Sequence, residues 1–437
     1  MFMSSLLQMP PYNESTKVYL VSEQNVAKYL SADLAKVLKF TGAYGQVVFL
    51  AEKNEVYVGV TLKNKIKSVD AFNTVNPYRL GAKVVRSLSG TEITALQIMN
   101  FSQEMREISQ DVSKDLMHFV LGMHQAAWML DTYVAKENSS RKDLAISVSS
   151  EDQALVTESW KKELEALHTG VTLNRKVVDD MPEEINPKSM SELVMKEFGG
   201  QKNVEVKVLN QAELEKMGMG ALLAVGRASR YEPVLTHVVL KPKGVVKHRI
   251  ALVGKGLTYD AGGLDIKVGG FMSTMKMDMG GSGLMLGVTK ALSMIDLENT
   301  EVHWMTGFVE NMIDGSSYKS DDILTSMSGQ TIEIFNTDAE GRLTLADVLT
   351  YATLQDPDYI IDAATLTGAC MRALSEHATG LMGNDAEFIS EIMGVFTEEQ
   401  ENTVHVTMPE VLREQIKGDI SDLRNIGKES NGGHITA

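Results

Sequence analysis

A single cysteine, Cys370, occurs among 437 residues. That excludes an internal disulfide framework and a cysteine-built zinc site, and it suits a reducing compartment. Positive charge is also in deficit: 42 Lys and Arg stand against 58 Asp and Glu, a net charge of −16. Nucleic-acid and anionic-membrane partners need a basic footprint, so neither is expected. Met1–Tyr19 has no basic segment followed by an apolar core, and no arginine. The expectation is therefore no secretory signal and no mitochondrial presequence. No apolar run approaches the ~20 residues of a membrane span. These absences lead to a cytoplasmic protein as the expectation. Several catalytic signatures are missing as well. There is no Gly-x-Ser-x-Gly elbow, no P-loop, no Gly-x-Gly-x-x-Gly after a strand and no His-Glu-x-x-His, which removes the usual serine-hydrolase, nucleotide-binding and zincin readings. The nine histidines are scattered, and none pairs with another at helical ligand spacing.

What is present is ordinary for a globular chain: 43% hydrophobic and 23% charged residues. The length exceeds one typical core, so two domains are expected. We place them at 1–152, a smaller N-terminal α/β domain, and 153–437, a larger C-terminal domain. In the first, Gln46–Leu50, Val56–Val60 and Ala145–Val148 read as strands. Ser113–Lys136 reads as a helix with apolar residues at three- and four-residue steps. Glu151–Asn174 reads as a long polar connector helix. In the second, strands at Ile250–Val253, Val302–Val309, Thr331–Phe335 and Tyr359–Ala363 alternate with helices at Gly280–Ile295 and Leu343–Leu354. The fold class is α/β, with a mostly parallel central sheet flanked by helices. Ligands of such sheets sit at the carboxyl ends of the strands.

Two segments place carboxylates among glycines at those ends. One runs from Gly254 to Lys267 and continues to Asp278; the other is Asn336–Arg342. Asp338, Glu340 and Arg342 are spaced two apart, which in an extended stretch puts them on one side. Asp278 opens a glycine-rich helix, where a carboxylate is favoured by free N–H groups. Carboxylates without histidines suggest divalent ions bound through oxygen. Grouping four negative charges in a dry cleft requires counter-charge, which two dications and the nearby Lys255 and Lys267 would supply. Each residue also has a plainer reading, as a loop ion pair, a solvated lysine or a turn residue. On the residues alone, peptide, amide and phosphate substrates all stay open.

At these residues the chain resembles the leucine aminopeptidases, also called cytosol aminopeptidases. The family signature Asn-Thr-Asp-Ala-Glu-Gly-Arg-Leu stands at Asn336–Leu343. Gly-Lys-Gly-x-x-x-Asp-x-Gly-Gly stands at Gly254–Gly263. Further matches are Lys267, Met275–Gly281 and Asp362–Gly368, and the similarity runs from about Trp160 to Ala437. The resemblance implies an aminopeptidase in which a water bridging two divalent ions attacks the first peptide bond. The ions are zinc or manganese, with magnesium or cobalt as further choices. Asp260 and Glu340 would bridge them, Asp338 would complete one site, and Lys255 and Asp278 the other. As a ligand, Lys255 must be neutral, far below its reference pKa of about 10.4. Lys267 would stabilise the oxyanion. Arg342 would hold a bicarbonate that relays the proton. Met275, Thr365, Leu366 and Gly368 would line an apolar pocket suited to leucine, and the substrate's amino group would bind one metal.

The resemblance also implies a homohexamer. The chain departs from the family at Leu264-Asp265, where a small residue is usual and where Asp265 adds an acid near Lys267. Past the match to Gly432–Ala437, the family pattern continues beyond Ala437. The alternatives are a non-catalytic structural relative and a DNA-binding one, the latter disfavoured by the net charge of −16.

Overall fold

The computed structural model describes residues 15–61, 76–135 and 143–429. The expected match at Gly432–Ala437 lies outside them. The chain divides into two compact units, Met1–His168 and Thr169–Ala437, and the division falls inside the helix Glu158–Asp179.

In the first unit five short strands form one sheet. They are β1 (Thr16–Val21), β2 (Val47–Leu50), β3 (Glu55–Gly59), β4 (Ala95–Ile98) and β5 (Ala145–Val148), in the order β2-β3-β1-β4-β5. Only the β2–β3 hairpin is antiparallel. The helices Pro77–Ser87 and Val112–Ala127 cross closely, because a Cβ on Gly81 or Gly122 would strike the other helix's backbone. The helix expected over Ser113–Lys136 ends at Ala127, where the backbone turns extended at Trp128, and Lys136 is not among the described residues.

The second unit is built on β6 (Val204–Leu209), β7 (Val234–Leu240), β8 (His248–Gly254), β9 (Gly256–Asp260), β10 (Thr300–Asn311) and β13 (Tyr359–Ala363). The order is β13-β8-β10-β7-β6, with β9 also on β10. Strands β13, β8, β9 and β10 are mutually parallel, while β7 and β6 run antiparallel to their neighbours. Alternate residues serve two cores, as the period of a strand requires. Ala251, Val253, Met305 and Val309 pack with the helices Gly220–Gly226 and Gly341–Thr353. Leu252, Val302, Trp304 and Phe308 pack on the opposite core with the helices Pro187–Phe198 and Gly280–Ser293.

The expected strand at Thr331–Phe335 belongs elsewhere. It shortens to β12 (Thr331–Glu333), which pairs antiparallel with β11 (Ile323–Thr325) and parallel with the short strand Leu423–Arg424, in a separate sheet. The main sheet therefore supplies one carboxylate-bearing loop, and a loop leaving this small sheet supplies the other.

Candidate metal centre

Strands β8 and β9 are one extended run along β10, broken at Lys255. At the break the Lys255 N–H donates to Ala363 O at the end of β13, 3.0 Å, and Lys255 O accepts from Ser282 N, 3.0 Å. Helix Gly280–Ser293 can approach this closely because position 254 is glycine: a Cβ there would lie 2.4 Å from Ser282 Cα. The break turns the lysine inward, where it is 3% exposed. Its Nζ lies 2.7 Å from Asp278 and 3.0 Å from Glu340, and it donates to Thr365 O at 3.2 Å. A second lysine completes the arrangement. Lys267 Nζ lies 2.8 Å from Asp260 Oδ2 and 2.5 Å from Asp338 Oδ1.

The four carboxylates arrive by different routes. Asp260 ends β9, and its Oδ1 accepts from Gly262 N and Asn311 Nδ2, both 2.9 Å. Asp278 sits in the 3-10 turn Met275–Met279, ahead of the helix it was expected to open, and accepts from Thr365 Oγ1 at 2.9 Å. Asp338 lies in the turn after β12, and its N–H donates to Asn336 Oδ1 at 2.7 Å. Glu340 is the N-cap of helix Gly341–Thr353, in helical conformation. The stretch 338–342 is thus a turn entering a helix and not extended. The expected one-sided alternation does not apply, because Gly341 and Arg342 already belong to the helix.

Asp260, Asp278 and Glu340 offer oxygens that all lie within 4.8 Å of one another, and all three are buried. Burial pushes the carboxyl groups of Asp278 and Glu340 above the usual range, against the lowering effect of Lys255. Burial alone would depress Lys255, but Glu340 and Asp278 hold it above an ordinary lysine; Asp260 and Asp338 do the same for Lys267. These opposed shifts have one origin. Four carboxylates, three of them buried, crowd two ammonium groups, which leaves two negative charges uncompensated if all six are ionised. With carboxylates alone as neighbours, Lys255 is raised rather than lowered as a neutral ligand would need. Cations, not protein groups, would have to reverse it.

The residues fit divalent cations on a further observation: among the described residues, Glu340 Oε2 is buried without a hydrogen-bond partner. Unsatisfied buried carboxylate oxygen is costly unless something binds it. An all-oxygen set with one amine suits hard or borderline dications.

Of the other expected residues, Thr365 is bonded to Asp278, and Met275 opens the same turn. Gly368 begins the helix Gly368–Leu374, and Leu366 is partly engaged in the core beneath the sheet. Arg342 is half-buried in the first turn of helix Gly341–Thr353; burial lowers its pKa, partly offset by Glu340. Sequence reasoning missed the supports. Asn311 holds Asp260 and also donates to Thr337 O at 3.1 Å. Asn425 donates to Asn336 O at 2.6 Å and accepts from Phe335 N at 2.9 Å, bracing the loop that carries Asp338. Both are buried asparagines, a residue type that rarely enters a core without partners to satisfy. Nothing near Asn425 in sequence links it to that loop.

An acidic pit only partly neutralised by two lysines, at the carboxyl ends of parallel strands flanked by helices, defines the class: an α/β protein with a candidate metal centre. The catalytic domain of the cytosol aminopeptidase family matches residues 172–437. A probable cytosol aminopeptidase of Wolinella succinogenes is 33% identical over 431 residues, 97% of this chain and 85% of that one. Those of Persephonella marina and Aquifex aeolicus are 41% and 45% identical, over 73% and 60% of this chain. Those two matches span 63% and 53% of the relatives' own length, less than two thirds. The chain belongs to the cytosol aminopeptidase family.

Proposed function

We propose that this protein is a metal-dependent aminopeptidase that cleaves the N-terminal residue from peptides, with leucine and other apolar residues preferred. The observation that carries the reading is the buried cluster of Asp260, Asp278 and Glu340, inside the segment that matches the family's catalytic domain. Asp260, Glu340, Asp338, Asp278 and Lys255 would hold two divalent ions, zinc or manganese. Bound there, such ions supply Lewis acidity and an acidified water.

The chain's own groups do the rest. Lys267 is the more accessible of the two lysines, with 13% of its side chain exposed against 3% for Lys255. It is therefore the one that can donate to an oxyanion developing on a substrate carbonyl. Arg342 would hold bicarbonate as proton carrier. Met275, Thr365, Leu366 and Gly368 would receive the first side chain; in support, Met275 and Thr365 both adjoin Asp278. Residues 153–437 would be the catalytic domain and 1–152 the other; a homohexamer follows from the family resemblance, and a cytoplasmic setting from the single cysteine. Among the described residues no helix is long and apolar enough to cross a membrane.

The test is metal analysis of the purified protein alongside hydrolysis of leucyl and glutamyl amides, before and after chelation. Leucyl amide cleavage that disappears with the metal is expected. A metal-loaded protein inert toward leucyl amides would sink the reading.

A further inference from the structure

We propose that Asp265 is a positioning residue of the metal centre: its carboxylate clasps the segment carrying Asp338 and Glu340 to the turn carrying Asp260 and Lys267. The inference rests on the metal-centre reading above. Asp265 Oδ2 accepts the Thr337 N–H at 2.7 Å and the Ser320 hydroxyl at 3.1 Å. In return, the Asp265 N–H donates to Thr337 Oγ1 at 2.8 Å. Each residue thus gives its backbone N–H to the other's side chain, across 72 positions of sequence.

Thr337 is fully buried and precedes Asp338 directly. Its hydroxyl donates to Gly262 O at 2.7 Å, while its carbonyl accepts from Tyr318 Oη at 2.6 Å and Asn311 Nδ2 at 3.1 Å. On the other side of the clasp, the Lys267 N–H closes the turn onto Ala261 O at 3.1 Å. Lys267 Nζ then reaches one carboxylate from each segment, Asp260 and Asp338. The spacing of the two segments therefore decides whether these three groups face one another. Asp265 sets that spacing through charge-assisted hydrogen bonds, stronger than neutral ones. Its carboxylate is turned onto Thr337 and Ser320. Its side chain is exposed, so replacing it leaves no void in a core.

The test uses the full chain carrying Asp265→Ala, Asp265→Asn or Thr337→Val. The affinity for Zn²⁺ or Mn²⁺ is titrated against a chelator, and kcat and KM are measured on leucyl amide at saturating metal. Supporting residues around metal ligands are worth roughly 10–100-fold in affinity or activity. Asp265→Ala should lose about 10-fold in metal affinity and in kcat, by the same rule, with KM and the metal-free thermal midpoint nearly unchanged. Asp265→Asn keeps one acceptor oxygen and should recover part of the loss. The double variant with Thr337→Val should lose less than the product of the singles, since the two residues act as a unit. Wild-type metal affinity and kcat in Asp265→Ala would overturn the proposal. So would a loss that merely tracks a lowered midpoint and is as large in Asp265→Asn. A wild type that binds the ion without cleaving leucyl amides would defeat the peptidase reading alone, because the affinity comparison would still decide on the clasp.

Discussion

Replacing Gly341 by alanine sets two effects of opposite sign against each other. Gly341 is the first residue of helix Gly341–Thr353 and has no positive φ. Alanine there should favour the helix and restrict the unfolded chain, a gain of up to about 1 kcal/mol. The structure opposes it. A Cβ at 341 would lie 2.4 Å from Lys255 Cε and 2.7 Å from its Nζ. Relief to ordinary contact needs a lysine shift of about 1 Å. That lysine is held 2.7 Å from Asp278 and 3.0 Å from Glu340, and both would lose part of their compensation. Overpacking costs about 1–3 kcal/mol, and parting a buried ion pair about 3–5 kcal/mol in full. A partial shift should therefore outweigh the helical gain, with a net loss of about 1–3 kcal/mol. Thermal or urea unfolding of both proteins, with and without Zn²⁺, reads the stability, and chelator titration reads the metal. The variant should unfold earlier and bind the ion more weakly. A variant that unfolds later and binds metal as well as the wild type would show that Lys255 is not pinned between the two carboxylates.

Three further outcomes are expected. Asp338→Ala and Glu340→Ala should each abolish leucyl amide hydrolysis and reduce metal content, because each removes charge that the cations need; near-normal turnover at full metal loading in either would refute the dinuclear assignment. Lys267→Ala should lower kcat by roughly 10²–10³-fold while metal content stays close to wild type; an unchanged kcat would make the lysine purely structural. His237 is buried on β7, with Nδ1 3.0 Å from Tyr351 Oη and Nε2 2.9 Å from His303 Nδ1, and burial followed by His303 pushes its pKa down to about 3. The unfolded histidine takes a proton near its ordinary 6.5, so this contribution is complete above that pH and is lost as pH falls toward 3; the loss reached by pH 5 is about 2 kcal/mol. Urea midpoints at pH 7.5 and 5 should differ more in the wild type than in His237→Gln, and equal differences would contradict the assignment.

The site was legible because its chemistry is concentrated in short stretches. Lys255, Asp260, Lys267 and Asp278 fall within one run, Asp338, Glu340 and Arg342 within another, and carboxylates among glycines stand out from a solvated surface. The strands that were read were those bounded by turns, such as Tyr359–Ala363. By contrast β7, Val-Leu-Thr-His-Val-Val-Leu, passed unread although it lies between β10 and β6. An apolar run interrupted only by Thr236 and His237, with no strict alternation, does not declare strand or helix. The helix Pro187–Phe198 was also passed over, though Asn186 and Ser189 form a reciprocal cap with proline just inside. The membership of β12 in a separate sheet was not readable, since pairing with Leu423–Arg424 is decided some 90 positions away. Asn311 and Asn425 act by bonding other segments' backbone, and such partners are set by the fold and not by neighbouring residues.

The break between β8 and β9 also fixes the backbone beneath the acidic pit. Although Lys255 interrupts the strand, its amide and carbonyl are both committed, to β13 and to helix Gly280–Ser293. The backbone under the pit is thus inside the sheet's own ladder, and exposing it requires opening β13 from β8. Amide exchange at Lys255 should accordingly report the opening of the edge strand β13 from β8.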